Sequence, residues 1–254
     1  MLLAIDVGNT QTHVGTFEGS HLVEHWRFAT AREATADELA SMLVGLLALR
    51  GLSLADLDGA IVSSVVPQLT HEYEQVSERY LAGTLLLVGP GVRTGMPIRI
   101  DNPREVGADR LVNAIAAYER FGEACIVVDF GTSTNYDAVS AEGEYLGGVL
   151  APGVEISMQA LSERAAKLPK VDFEAPDETI GRNTIAALQS GLIFGTAGQV
   201  DGIVARMREE LGVEAEAIAT GGLAAAVVPF CAEISEVDDE LTLTGLRVIH
   251  ERNA

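Results

Sequence analysis

The order of apolar and polar positions at the start of the chain predicts three consecutive strands. A short apolar run at residues 2–5 is typical of a buried strand, and it stops at Asp6, where a turn is expected. Alternating positions follow at residues 12–17 and again at residues 22–28, separated by the turn signal Glu18-Gly19-Ser20. The chain therefore opens with strand, turn, strand, turn and strand.

Helices and further strands are predicted downstream of this block. Residues 35–49 place apolar side chains on one helical face, and Gly51 ends the pattern. A second helix is predicted at residues 69–81, with strands before and after it at residues 59–66 and 85–88. Alternation of strands and helices predicts an α/β protein.

The opening pattern occurs again in the second half of the chain. Asp129-Phe130-Gly131-Thr132 follows an apolar run and matches Asp6-Val7-Gly8-Asn9 at an offset of 123 residues. Alternation at residues 134–139, a turn at Glu142-Gly143 and a strand from Tyr145 complete the copy. Such an internal duplication predicts two similar domains. We therefore expect an N-terminal domain over residues 1–120 and a C-terminal domain over residues 121–254.

The rest of the second half is predicted to contain one long helix. Residues 162–180 have no clear period and predict a loop that includes Lys167, whereas residues 183–211 have helical periodicity. Four glycines share one face of that helix: Gly191, Gly195, Gly198 and Gly202. This face is expected to pack closely, either against a sheet of the same domain or against another subunit. A last strand at residues 217–220 ends in Gly221-Gly222.

The composition predicts globular domains with a strong negative charge. The 254 residues are 48% hydrophobic, and 17 Lys and Arg against 37 Asp and Glu give a formal net charge of −20. This charge argues against nucleic acid or an anionic membrane as a partner, because both bind clustered basic residues. An anionic ligand would have to be held by backbone amides, metal ions or a few placed cations.

Other sequence signals point to a soluble cytoplasmic protein. A signal peptide is not recognisable, and the apolar runs are too short for a membrane span. Cys125 and Cys231 are far apart in apolar surroundings, which predicts two buried, reduced thiols. The histidines show no metal-ligand spacing, which argues against a structural zinc site.

Three predicted strands end in turns that contain glycine, at the edge where open α/β sheets bind ligands. The turns follow Asp6, Asp129 and Thr220. Glycine lets the backbone approach a phosphate, and successive N–H groups form an anion-binding nest. Two duplicated Asp-x-Gly hairpins suit the clamping of a nucleotide's phosphates across a cleft. Asp6 and Asp129 are either turn-stabilising carboxylates or ligands of a hard cation.

Asp109 is a candidate catalytic residue on a predicted helix. Asn102-Pro103-Arg104-Glu105 predicts the start of that helix, with Asn102 as the N-cap and Phe121 near its end. Asp109 is then an interior residue, and none of its neighbours three or four positions away is a cation. It is either a partner in a tertiary salt bridge or a general base that faces a cleft. Arg110 is a candidate for binding an anionic substrate group.

Together these segments resemble the acetate/sugar kinase–Hsp70–actin superfamily, and their finer motifs resemble the type III pantothenate kinase family. The resemblance extends from residue 1 to about residue 248. The superfamily implies two duplicated ribonuclease H-like (actin-like ATPase) domains, each a mixed five-stranded sheet flanked by helices. The segments that carry the resemblance are Asp6-Val7-Gly8-Asn9-Thr10, Asp101-Asn102-Pro103, Gly107-Ala108-Asp109-Arg110, Asp129-Phe130-Gly131-Thr132, Gly147-Gly148, Pro152-Gly153, Gly181-Arg182-Asn183-Thr184, Thr220-Gly221-Gly222, Leu241-Thr242-Leu243 and Gly245-Leu246.

The resemblance also implies a reaction, in which ATP phosphorylates pantothenate to 4′-phosphopantothenate as the first step of coenzyme A biosynthesis. It implies Asp109 as the general base and Asp129 as the ligand of a monovalent cation, K⁺ or NH₄⁺, with Asp6 as a candidate Mg²⁺ ligand. The implied ATP contacts are Asp6, Val7, Gly8, Asn9, Thr10, Gln11, Thr12, His13, Thr132, Gly221 and Gly222. The implied pantothenate contacts are Ile100, Gly107, Ala108, Asp109, Arg110 and Thr184.

The resemblance further implies a homodimer with its active site near the subunit interface, which favours the interface interpretation of the glycine face. The sequence departs from the family pattern in two places. Ile100 stands where a tyrosine is expected to contact pantothenate, and Ser133-Thr134-Asn135 stands where Ala-Thr-Thr is expected. Two other functions are compatible with the fold: a non-catalytic nucleotide-binding regulatory protein, and a phosphotransferase or phosphatase that acts on another substrate.

Overall fold

The chain folds into two compact units, each built around one sheet. The structure is a computed structural model that describes residues 1–165 and 168–254. The first unit comprises Met1–Gly95, Arg104–Ala116 and Thr242–Ala254, and the second comprises Met96–Pro103 and Ala117–Leu241. These units differ from the expected domains chiefly because Thr242–Ala254 packs with the N-terminal half. Lys167 of the predicted loop lies outside the described residues.

The first sheet contains the three strands predicted at the start of the chain. Its strands are β1 (Leu2–Val7), β2 (Gln11–Glu18), β3 (His21–Ala29), β4 (Gly59–Ser64) and β5 (Thr84–Leu87). Their order across the sheet is β3-β2-β1-β4-β5. The first three strands pair in antiparallel fashion, whereas β4 is parallel to both β1 and β5.

One face of this sheet packs against two helices, α1 (Ala36–Ala48) and α2 (Pro67–Tyr80). Leu3, Ile5 and Val7 are buried in this core, because side chains two positions apart along a strand share a face. The alternation places Asp6 on the opposite face of β1.

The second sheet repeats the architecture of the first. Its strands are β6 (Cys125–Phe130), β7 (Ser133–Val139), β8 (Tyr145–Pro152), β9 (Glu216–Thr220) and β10 (Glu236–Val237). Their order is β10-β9-β6-β7-β8, with antiparallel pairing among β6, β7 and β8 and parallel pairing of β9 with β6 and β10. The same succession of pairings in both sheets is what the internal duplication predicts.

The glycine face of the long helix α5 (Thr184–Leu211) lies at the surface. The buried side of α5 packs in the core of the second unit through residues such as Ile193 and Val200. The glycine face lies on the opposite side. A Cβ atom added at Gly191, Gly195 or Gly198 would meet no described atom within 4 Å outside the helix backbone. The prediction that this face packs against a sheet of the same domain is therefore wrong. Apolar residues on the other side of α5 make that contact.

The helix that carries Asp109 begins later than its sequence signals predict. Pro103–Glu105 forms one 3-10 turn, and the helix α3 (Ala108–Phe121) begins only after Gly107. Asp109 is therefore the second residue of α3, and its prediction as an interior residue is wrong. The helix-start signal at Pro103 produces a single turn, because the chain bends again before Gly107.

Three further helices complete the two units: α4 (Val154–Arg164), α6 (Ala224–Val227) and α7 (Leu241–Asn253). Helix α7 packs tightly against α3, and a Cβ atom on Gly245 would overlap the carbonyl oxygen of Val112. The hydroxyl of Thr242 also lies 2.7 Å from Oδ1 of Asn113, to which it donates a hydrogen bond. In the part of the chain that the structure describes, we find no helix with the length and apolarity to cross a membrane.

The two cysteines are free thiols in different surroundings. Cys125 is buried, whereas Cys231 is only half-buried, so the predicted burial holds for Cys125 alone. Burial raises the pKa of both thiols to about 12, and the negative charges of Glu123 and Asp201 add to the effect. Neither thiol is therefore a nucleophile at neutral pH.

Candidate active site

The predicted first phosphate loop, residues 6–13, includes the tight turn between β1 and β2. The last paired residues of the two strands are Val7 and Thr12. The N–H of Gly8 donates to the carbonyl oxygen of Gln11 at 3.0 Å. A Cβ atom on Gly8 would lie 2.8 Å from that oxygen, so the turn requires glycine at this position.

Two side chains of the segment that follows β3 bind the loop. The hydroxyl of Thr30 donates to the carbonyl oxygen of Gly8 at 2.8 Å and lies 2.9 Å from the hydroxyl of Thr12. Nη2 of Arg32 donates to the backbone and side-chain oxygens of Asn9 at 3.2 and 3.1 Å. Two loop carbonyls are thus bound by side chains of the same unit.

His13 lies opposite Asp6 in the β1–β2 pairing and is neutral near pH 7. Burial, together with the charges of Arg27 and His25, lowers the pKa of His13 to about 4. Nε of Arg27 donates to Nε2 of His13 at 2.6 Å. Because Nε2 accepts this hydrogen bond, it carries no proton.

Asp109 shares the start of α3 with three other predicted substrate-binding residues. Gly107 precedes the helix, and Ala108, Asp109 and Arg110 form its first turn. Oδ1 of Asp109 accepts a hydrogen bond from the backbone N–H of Arg110 at 2.9 Å. A Cβ atom on Gly107 would lie 2.5 Å from that same oxygen, so glycine makes room for the folded-back carboxylate. The N-terminus of a helix favours a negative side chain, which suits a carboxylate at this position.

Glycines surround the carboxylate of Asp129 at the end of β6. A Cβ atom on Gly221 would lie 2.6 Å from Oδ1 of Asp129, and one on Gly131 would lie 3.6 Å from it. A Cβ atom on Gly153 would come within 2.7 Å of the carbonyl oxygen of Gly131 and still closer to that of Thr132. Glycine at these positions therefore lets the backbone approach the carboxylate and these carbonyls more closely than a residue with a side chain could.

The donor set around Asp129 fits a monovalent cation. Carboxylate and carbonyl oxygens are the ligands that hard cations prefer, and backbone carbonyls replace the hydration shell of K⁺ elsewhere in proteins. No group of three or more His, Cys, Asp and Glu side chains within residues 1–165 and 168–254 is arranged to hold a metal ion. A single carboxylate such as Asp6 still fits Mg²⁺, because this ion keeps waters and binds substrate phosphates as well.

The sheet brings the second hairpin and the last glycine turn together. Thr132 is exposed in the hairpin that follows Asp129. Asp129 pairs with Thr220 in the parallel β6–β9 ladder, so the Gly221-Gly222 turn leaves the sheet beside the hairpin. Gly221 has a φ of +95°, which a residue with a side chain rarely adopts.

Two predicted pantothenate contacts lie elsewhere in the second unit. Thr184 is the exposed first residue of α5, where Asn183 caps the helix by accepting a hydrogen bond from Ala186 N–H at 2.9 Å. Ile100 lies beside β8, and a Cβ atom on Gly147 would lie 3.2 Å from Cγ2 of Ile100. The roles of Thr184 and Ile100 in pantothenate binding stay predictions.

Sequence reasoning missed three residues that shape these loops. Arg32 and Arg27 lie near the first loop, and Gly153 lies against the second hairpin. The strand pattern placed Arg27 on a strand, but only the pairing register shows that it faces His13. Gly153 belongs to the Pro152-Gly153 motif, for which the family resemblance implied no role.

Solved structures identify the class of protein that this fold defines. A ROK family glucokinase from Streptomyces griseus has a TM-score of 0.52 at 11% identity, covering 100% of this chain and 99% of its own. Component A of (R)-2-hydroxyglutaryl-CoA dehydratase from Acidaminococcus fermentans has a TM-score of 0.57 at 15% identity, with coverage of 98% and 95%. These likenesses show the fold alone. The chain has the duplicated ribonuclease H-like fold of the actin-like ATPases and sugar kinases, as predicted.

Sequence relatives narrow this class to one family. The model of type III pantothenate kinase matches residues 2–206. A type III pantothenate kinase from Anaeromyxobacter sp. (strain Fw109-5) is 54% identical over 253 residues, covering 100% of both chains. One from Moorella thermoacetica is 51% identical, also over 100% of both chains. The chain belongs to the type III pantothenate kinase family.

Proposed function

We propose that this protein transfers the γ-phosphoryl group of ATP to the hydroxyl of pantothenate, giving 4′-phosphopantothenate and ADP. The observation that carries the proposal is the 51–54% identity, over the whole chain, to proteins named type III pantothenate kinase. Asp6, Asp109 and Asp129, the carboxylates that the resemblance singles out, are all present. The reaction begins coenzyme A biosynthesis, and because it consumes ATP we assign it to the cytoplasm.

Asp109 is the proposed general base. Its carboxylate accepts the proton of the pantothenate hydroxyl while the hydroxyl oxygen bonds to the γ-phosphorus and the bond to the β,γ-bridging oxygen breaks. The hydrogen bond from Arg110 N–H to Oδ1 fixes the carboxylate and leaves Oδ2 to face the hydroxyl. Arg110, Gly107 and Ala108 are the proposed pantothenate contacts beside it.

Backbone groups and cations supply the positive charge that the chain itself lacks. A protein with a net charge of −20 cannot hold ATP on a broad basic surface. The first phosphate loop offers N–H groups, since Thr30 and Arg32 bind its carbonyls from behind. Phosphoryl transfer depends mainly on such positioning and charge neutralisation.

Asp129 and the carbonyls beside it are the proposed site of K⁺ or NH₄⁺, and Asp6 is the proposed ligand of Mg²⁺. When bound, these cations neutralise phosphate charge. Thr132 and the Gly221-Gly222 turn are the proposed ATP contacts next to the monovalent site. Ile100 and Thr184 are proposed walls of the pantothenate site, with Ile100 replacing a tyrosine hydroxyl by an apolar surface.

We also propose that the protein is a homodimer, with the glycine face of α5 at the interface. The exposed large apolar side chains of the second unit include several from β8, α4 and the start of α5: Leu146, Val149, Leu150, Ile156, Leu161 and Ile185. β8 is the last strand of its sheet, and among the described residues its outer side is bridged only at Tyr145, by the segment around Ile98. Exposed apolar groups beside an open small-residue face favour contact with a second copy.

The test is ADP formation from ATP and pantothenate, measured in K⁺ and in Na⁺ alone, with wild type and with Asp109→Asn. We expect turnover that requires both pantothenate and K⁺. Loss of the general base is expected to lower kcat about 10²- to 10⁴-fold with little change in the KM for ATP. Folded protein that binds ATP but gives no pantothenate-dependent ADP would contradict the proposed function.

Asp37→Asn is the matched control. Asp37 is the second residue of α1, as Asp109 is of α3, and each follows an alanine. The Asp37 carboxylate forms a surface ion pair with Arg79, so its loss removes about 0–1 kcal/mol of stability. Its activity should equal that of wild type. If Asp109→Asn were equally active, another group would have to accept the proton.

A further inference from the structure

A row of polar side chains crosses the first sheet next to the first phosphate loop. Ser63, Asp6, His13 and Arg27 are direct neighbours in the β4–β1–β2–β3 register. Residues opposite each other in adjacent strands project from the same face of the sheet. Adjacent strands are about 4.8 Å apart, so the backbone of Arg27 lies roughly 10 Å from that of Asp6. An arginine side chain spans most of that distance.

His13 fixes the guanidinium of Arg27 in this row. Nε of Arg27 donates to Nε2 of His13 at 2.6 Å, and Nη2 lies 3.5 Å from Nδ1 of the same ring. The contact uses one edge of the guanidinium and a neutral acceptor. The positive charge of Arg27 is therefore held in place without being neutralised.

Arg27 differs in this respect from the arginines of the molecule that pair with carboxylates. Arg50, Arg79 and Arg120 form ion pairs with Asp or Glu. Arg27 has no carboxylate within ion-pair distance in the described part of the chain. In a protein with 20 more acidic than basic residues, an arginine held by a neutral histidine marks a place where positive charge is retained.

We infer that Arg27 is a phosphate-binding residue of the nucleotide site and that His13 is its positioning residue. The ligand chemistry is the polyphosphate of a nucleoside triphosphate, which guanidinium N–H groups bind with charge-assisted hydrogen bonds. Arg32 differs in its role, because its Nη2 already binds both oxygens of Asn9. The inference rests on the proposed function for the identity of the nucleotide, ATP. It does not depend on pantothenate being the phosphoryl acceptor.

The test is equilibrium binding of ATP, ADP and adenosine, without pantothenate, to wild type, Arg27→Gln and Arg27→Lys. Arg27→Gln is expected to weaken ATP about 10- to 100-fold, the usual effect of losing charge-assisted hydrogen bonds, and to leave adenosine unchanged. Arg27→Lys should recover part of the loss, because it restores the charge but not the planar fork. In steady-state assays the KM for ATP should rise while the KM for pantothenate stays constant.

Two further variants separate positioning from binding. His13→Ala should weaken ATP less than Arg27→Gln does, and the double variant should bind ATP like Arg27→Gln alone, because His13 acts through Arg27. Arg50→Gln is the matched control, since Arg50 is an exposed arginine of the same unit that pairs with Glu24. It should leave ATP affinity unchanged.

Three outcomes would overturn the inference: unchanged ATP affinity in Arg27→Gln, equal losses for ATP and adenosine, or additive effects of His13→Ala and Arg27→Gln. Equal thermal midpoints of the variants would show that they fold. A protein in which Arg27 governs ATP binding but pantothenate is not phosphorylated would refute the proposed function and leave this inference standing. An active pantothenate kinase whose Arg27→Gln variant binds ATP normally would support the proposed function and refute this inference.

Discussion

Glycine at position 221 makes room for the Asp129 carboxylate, the proposed ligand of a monovalent cation. The φ of Gly221 is +95°, and a Cβ atom there would lie 2.7 Å from the backbone nitrogen of Phe130 as well as 2.6 Å from Oδ1 of Asp129. Any side chain would therefore displace either the end of β6 or the turn after β9. The observed position of the Asp129 carboxylate therefore requires that residue 221 has no Cβ atom.

Gly221→Ala is expected to lower the thermal midpoint and to weaken the response to K⁺. The strained φ together with the overlap should cost about 2–4 kcal/mol of folding free energy. Displacement of the carboxylate should raise the K⁺ concentration needed for half-maximal activity. Thermal unfolding followed by circular dichroism and a K⁺ titration of ADP formation measure the two effects.

Gly212→Ala separates strain from overlap. Gly212 ends α5 with a φ of +67°, and a Cβ atom there would meet no described atom within 4 Å. This variant should lose about 1 kcal/mol through its backbone alone and keep the K⁺ response of wild type. Equal behaviour of the two variants would show that the contact with Asp129 has no influence.

Turns were predictable from sequence where they depend on near neighbours. Asp6 and Asp129 each precede a glycine turn, and that signal lies within three residues. Arg27 and Gly153 were missed because their contacts join strands whose register no local pattern specifies. The same limit applies to Gly221, whose motif was evident but whose contact with Asp129 requires the β6–β9 pairing.

At the scale of elements, α7 and α3 cross at close contact. The two helices approach so closely at Gly245 that its α-carbon rests against the carbonyl of Val112, one turn after Asp109. The Thr242–Asn113 hydrogen bond adds a polar contact at the same crossing. Because α3 carries Asp109 in its first turn, we expect a change at this crossing to shift the proposed general base.

Gly245→Ala is expected to impair both stability and turnover. The methyl group would force α7 and α3 apart, and overpacking of this kind costs about 1–3 kcal/mol. A shift of Asp109 should lower kcat more than it raises the KM for ATP, since the phosphate loop lies on β1 and β2. The thermal midpoint and the steady-state constants, measured on the same preparation, test this.

Gly45→Ala is the corresponding control in an open helix. Gly45 lies within α1, and a Cβ atom there would meet no described atom within 4 Å. The substitution should therefore raise stability by about 0.5–1 kcal/mol, as alanine usually does in a helix, with unchanged kcat. If Gly245→Ala were also neutral or stabilising, the crossing would be looser than its geometry indicates.

Strands were predicted better than helix ends. Period-two alternation specifies a strand and its buried face at once, which is why the three-stranded pattern was found twice. The start of α3 was predicted at Pro103 because Asn102, Pro103 and Glu105 are good local signals. In the structure these residues form one 3-10 turn. A separate helix begins after Gly107, which lies close to the Asp109 carboxylate.

At the scale of the whole molecule, the proposed dimer predicts a molar mass of twice 26.8 kDa. Gly195→Glu places a charged side chain on the exposed glycine face of α5 and is expected to shift the mass towards that of one chain. Specific activity should fall with dissociation if the active site lies near the interface. Light scattering coupled to size-exclusion chromatography, with assays at the same protein concentrations, measures both.

Gly45→Glu provides the control for added charge and bulk on an exposed helical glycine in the first unit. It should leave the molar mass unchanged. A wild-type protein with the mass of one chain at micromolar concentration would refute the dimer. A dimeric Gly195→Glu variant would place the interface on another face.

The large-scale plan was largely evident in the sequence, because duplication predicts two similar sheets without any knowledge of contacts. What the sequence did not reveal is that Thr242–Ala254 joins the first unit rather than the second. That grouping depends on side chains that meet across more than 120 residues, such as Asn113 and Thr242. Net charge, in contrast, is a sum over residues and depends on none of these contacts.

The return of α7 to the first unit has a consequence for synthesis on the ribosome. The sheet β1–β5 emerges early, but the helix that fixes α3 emerges only after all of residues 117–241. A nascent chain therefore carries its proposed general base on an unsupported helix until translation has passed Thr242. Termination directly before Thr242 would leave the second unit complete and the first without α7, and such a protein should be degraded quickly.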